Sequence, residues 1–355
     1  LDSLRQDLPE TGIVPLSCPD PGALAHVLRP LSAGTRVLLL RAGDRVEPGY
    51  LASLAQHGSG DAVGTLLTPT VTIRPDGARD DRLQWRFKHG SRSADLTAEP
   101  YIFPDTISGV VLTIPRRGMS DWGGLGPLRG IEDTDGANGS DENAGLSGLI
   151  AHIVDTGNRV GLHDGPAVVH HAPSPPGAWG KVEHYRHLLG TLLPAWLLAD
   201  SPPPAWVYQL VIHRLIQVTE ADRGLRFPSA RLTVAERAEV AQLLRSVTRH
   251  VPAAQIEAYC STPLAVGRRT ALTALAAGPM PAPILPSARR FRSDQKATYF
   301  FTGALPAEQW KVDGSWASPT SAKTVDHRYF DEVVLHERIV WLPKGEITAV
   351  INGQE

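Results

Sequence analysis

The chain has 355 residues, 42% hydrophobic and 20% charged, with a formal charge of -2. That length predicts two or three domains with sizeable cores, and the composition excludes disordered and fibrous classes. The near-zero charge gives no field that would recruit nucleic acid or an anionic membrane surface, and two distant cysteines, Cys18 and Cys260, exclude a disulfide scaffold or a multi-cysteine metal centre.

Residues 1–175 alternate β-branched runs with helical stretches. "TRVLLL" (35–40), "AVGTLLTPTVTI" (62–73), "TISGVVLTI" (106–114) and "PAVVHH" (166–171) read as strands of an α/β sheet domain. A long Gly-rich and acidic loop, 122–143, follows the third run, and loops of that length are commonly functional. Asp141 and Glu142 precede Leu146, Leu149, Ile150 and Ile153 at helical spacing, so the two acids open a helix. The proline-rich stretch 172–179 closes this domain.

From 176 to 278 the period becomes that of helices. Val207, Leu210, Val211, Leu215 and Val218 share one face, and Thr233 with Glu236 forms a capping-box signature ahead of a second amphipathic run. His184 and His187 stand at i, i+3; without a third ligand they read as packed or solvated histidines. "GPMPAPILP" (278–286) reads as a linker. From 287 to 355 the pattern predicts a small antiparallel β module. Exposed aromatics there would mark a carbohydrate-binding surface, and Tyr299, Phe300, Trp310, Trp316, Tyr329 and Trp341 are the candidates; aromatics in so small a unit are mostly core. No apolar stretch is long enough to span a membrane. The chain opens at Leu1 without methionine or a signal-like segment, the pattern of a processed or excised piece.

Three stretches carry a resemblance. "LDSLRQ" (1–6), "LLLRAGDRVEPGYLASL" (38–54) and "ISGVVLTIPRRGMSDWGGLG" (107–126) with "SDENAGLSGLIAHIVDTGNRVGLHDGPAVVHH" (140–171) come in the order seen in family 2 glycosyltransferases. The layout is also similar to cell-wall, teichoic-acid type glycosyltransferases. The resemblance implies a glycosyltransferase-A-like mixed sheet domain over 1–175, a helical domain over 176–278 and the β module over 287–355. It implies transfer of a sugar from a nucleotide-diphosphate donor, UDP-sugar first, to a hydroxyl of a glycan or polymer acceptor, with inversion. The chemistry needs a stabilised departing diphosphate and a base for the acceptor proton.

Carried over position by position, Glu142 would be the base and Asp141 its neighbour, while Trp122, Gly123 and Gly124 would line the acceptor pocket. Acids at a helix N-terminus are also favoured by the helix dipole alone. Arg41 and Gly43 occupy the two D-x-D positions, with Asp44 one step beyond. Asp44 alone is a weak manganese or magnesium site. The fork of Arg41 offers a metal-free partner for the diphosphate, unless it merely pairs with a surface carboxylate. One of His170 and His171 would reach the diphosphate or the metal, because neighbours on a strand face opposite ways. Asp20 would approach the base or ribose, or serve only as a turn residue beside Pro19 and Pro21. The rival reading is a catalytically degenerate domain kept as a binding or assembly scaffold. The expected setting is cytoplasmic, or peripheral at an inner membrane face, with a homo-oligomer formed through the C-terminal module.

Overall fold

The computed structural model describes residues 34–40, 43–56, 64–73, 79–81, 83–106, 108–113, 146, 149–150, 152–171, 178–198, 201–222, 228–278, 289–290 and 294–353. The expectations placed on Asp20, Arg41, Trp122, Gly123, Gly124, Asp141 and Glu142 lie outside the described residues, as does the side chain of His171. The chain divides into two compact units, Leu1–Arg214 and Leu215–Glu355. One helix, Ala205–Ala221, crosses that boundary.

The first unit is built on two mixed sheets. One has the order β1 (Arg36–Leu39), β7 (Val110–Thr113), β3 (Thr65–Leu67), β8 (Arg159–Leu162) and β6 (Arg92–Asp95), with β3 and β8 parallel and the other pairs antiparallel. The other has the order β2 (Arg45–Val46), β9 (Val168–His171), β4 (Thr70–Ile73) and β5 (Arg79–Asp80), with β4 and β9 parallel. The single apolar run 62–73 therefore yields two strands in two sheets. Thr68 and Pro69 break it, since proline cannot donate to a ladder. Helix α1 (Tyr50–Gln56) sets Tyr50 and Leu54 into a small core with Val46, Val111 and Val168. Leu146, Leu149, Ile150 and Ile153 are helical and buried, as their spacing predicts.

The helices begin with α2 (Val182–His187), which runs through a π-helical turn (Leu188–Leu192) into α3 (Leu193–Leu197). Pro194 lies at the start of α3, where its missing N–H is tolerated. Helix α4 (Ala205–Ala221) buries Val207, Leu210, Val211, Leu215 and Val218, the face read from the sequence.

In the second unit α5 (Val234–Thr248) opens on the expected capping box: the Thr233 hydroxyl accepts from the Glu236 N–H and the Glu236 carboxylate accepts from the Thr233 N–H. The short helix α6 (Ala253–Glu257) and α7 (Val266–Ala277) follow. The remaining strands form two antiparallel sheets. One has the order β10 (Arg289–Arg290), β11 (Asp294–Phe301), β15 (Glu332–Pro343) and β14 (Ser321–Tyr329); the other has the order β13 (Ser315–Ala317), β12 (Glu308–Val312) and β16 (Ile347–Ile351). Alternate residues of both sheets, among them Tyr299, Phe301, Trp310, Val312, Val340 and Leu342, form one apolar cluster, so the module is a small β-sandwich.

The β14–β15 hairpin closes on Phe330 and Asp331, both left-handed (φ 51° and 66°), a type I′ arrangement normally filled by Asn-Gly. Phe330 is fully buried and donates its N–H to the Asp222 carboxylate, while Arg237 and Arg245 of α5 pair with Asp331 and Glu332. Packing and hydrogen bonding thus hold a bulky residue in a backbone region it rarely adopts.

Candidate functional site

Strand register brings the first candidate pair together. β2 pairs antiparallel with β9, Arg45 opposite Val169, so the residue before β2 faces the residue after Val169. Those residues are Asp44 and His170, and Nδ1 of His170 lies 2.7 Å from an oxygen of Asp44. The other oxygen of Asp44 accepts from the Ser108 hydroxyl at 2.6 Å. The Asp44 side chain is 0% exposed and that of His170 18% exposed, so the carboxylate sits beneath an imidazole that reaches solvent. A buried carboxylate holding one ring nitrogen fixes the tautomer and orientation of the ring.

Ser108 is positioned by its neighbours. Its N–H donates to the Thr106 hydroxyl and its carbonyl accepts from Thr70. The next residue, Gly109, has φ +77°, and a Cβ there would lie 2.7 Å from Oγ1 of Thr68. That hydroxyl donates to the Gly109 carbonyl at 2.7 Å and touches the Tyr50 hydroxyl at 2.7 Å. Only glycine fits both the dihedral and the close approach. Burial pushes the Tyr50 hydroxyl above the usual phenol range, so it stays a neutral hydrogen-bonding group.

A shallow cleft runs beside this cluster, lined by Thr68, Thr70, Thr106, Ser108, Arg86 and Asp105 among others. Its volume is about 10 Å³, room for one water and no more. Arg86 is 6% exposed; it donates to the Phe103 carbonyl, to Asp105 at 2.8 Å and to the Leu83 carbonyl at 2.9 Å. Arg214 donates to the Asp105 carbonyl at 2.6 Å. Burial opposes ionisation of Asp105, yet Arg86, His213 and Arg214 together outweigh it and hold the carboxyl below its usual range.

Of the residues singled out from the sequence, the structure thus brings Asp44 and His170 into contact. Gly43 is described and left-handed, φ 90°, at the turn into Asp44. His184 and His187 are partly buried on α2, with His184 edge-on to Trp179 at 4.5 Å. Burial, then Arg214 and His187, lower the His184 pKa to about 4. Ser108, Arg86 and Asp105 have no sequence signal: Ser108 lies 64 positions from its partner Asp44, and Arg86 lies 19 from Asp105, in no recognisable pattern.

The donor set does not suit a divalent cation. Magnesium and manganese want several oxygen ligands, whereas Asp44 offers one carboxylate with both oxygens already engaged. Among the described residues, no group of three His, Cys, Asp or Glu side chains converges. No family model matches the chain, and no curated protein matches it. No helix among the described residues is long and apolar enough to cross a membrane.

Proposed function

We propose that the first unit is a glycosyltransferase-A-like domain that moves a sugar from a nucleotide-diphosphate donor to a hydroxyl of a glycan or polymer acceptor, with inversion. The observation that carries the reading is the contact of Asp44, one step beyond the D-x-D positions, with His170, one of the two histidines that the resemblance brings to the diphosphate or the metal. Asp44 holds Nδ1 and so orients the ring, and the partly exposed imidazole is the group that meets the donor. Arg41 supplies the positive charge that the departing diphosphate requires, by bidentate pairing in place of a metal. Glu142, flanked by Asp141, takes the proton of the acceptor hydroxyl. Trp122 with Gly123 and Gly124 forms the acceptor wall, and Asp20 approaches the base or ribose.

Calorimetric titration of the full chain with UDP-, GDP- and TDP-sugars, with and without manganese, tests this. Donor binding that needs no metal is expected, and Asp44→Asn should weaken it about tenfold by releasing the ring. Glu142→Gln should abolish turnover and leave donor affinity nearly intact. Absence of binding under every condition would remove the transferase reading, and strictly metal-dependent binding would discredit the role of Arg41.

A second reading, a degenerate domain retained as a scaffold, draws on the same cluster. Both oxygens of Asp44 are satisfied within the protein, and Arg41 and Gly43 stand at the D-x-D positions. It predicts no donor binding at all.

A further inference from the structure

We draw no further inference here: the strongest candidate, the open edge strand β14 of the C-terminal sandwich, whose residues 321–326 are all exposed with Lys323 set over the Trp341 ring, carries nothing because nothing in the structure shows what covers it.

Discussion

The two units stabilise themselves by different means. In the first, strands are four residues or shorter, and the space beside them is occupied by polar groups in specific pairs: Asp44 with Ser108 and His170, Thr68 with Tyr50, Arg86 with Asp105. In the second, β11 and β15 run for 8 and 12 residues and meet β12 and β16 in a continuous apolar cluster. Buried polar pairs depend on each partner and tolerate little change, whereas an apolar cluster loses stability in proportion to the volume removed. The region that carries the candidate chemistry is therefore the one that adds specific buried polar pairs to its apolar core.

The largest expected effect breaks the apolar side of that contrast. Trp310→Ala should cost about 4 kcal/mol, because it leaves a cavity between the two sheets. Chemical denaturation followed in the C-terminal module checks it, and a loss below about 1 kcal/mol would contradict a continuous core. On the polar side, Arg86→Met should cost about 3 kcal/mol, since the buried Phe103 carbonyl would lose its donor and the half-buried Asp105 its ion pair. Hydrogen exchange at 83–106 should rise selectively.

Acid sharpens the comparison further. His184 has its folded-state pKa depressed to about 4, from an ordinary value of 6.5. Between those values the unfolded chain binds the proton and the folded chain does not, so stability falls as pH drops from about 6.5 to about 4. The loss is roughly 3 kcal/mol at most. His184→Gln should flatten that part of the stability profile. The smallest effect belongs to the cap: Thr233→Ala should cost about 1 kcal/mol, measured as a lower thermal midpoint with unchanged far-ultraviolet signal.

What was legible in the sequence follows the range of the forces involved. The capping box, the buried faces of α4 and of the 146–153 helical run, and the β character of the last sixty residues all arise from neighbours within a turn or a strand. The division of 62–73 into two sheets depends on Thr68 and Pro69, and its period alone does not reveal it. Asp44 and His170 could be singled out through the order of motifs, yet their contact depends on the β2–β9 register. Ser108 and the Arg86–Asp105 pair are joined only by the folded chain, and nothing local distinguishes that serine from any other. Trp316 looked no different from five other aromatics in its module; strand position left it exposed and Trp341 half-buried while Tyr299, Phe300, Trp310 and Tyr329 joined the core.

The Phe330 turn has a practical implication for anyone redesigning the molecule. Replacing Phe330-Asp331 by Asn-Gly would relax the dihedral angles and, in an isolated hairpin, improve folding. In this protein the same change would remove a fully buried ring and the acid that receives Arg237. The β-ribbon would then be a better turn on a worse anchor. Sequence optimisation guided only by turn statistics would weaken the protein at this position.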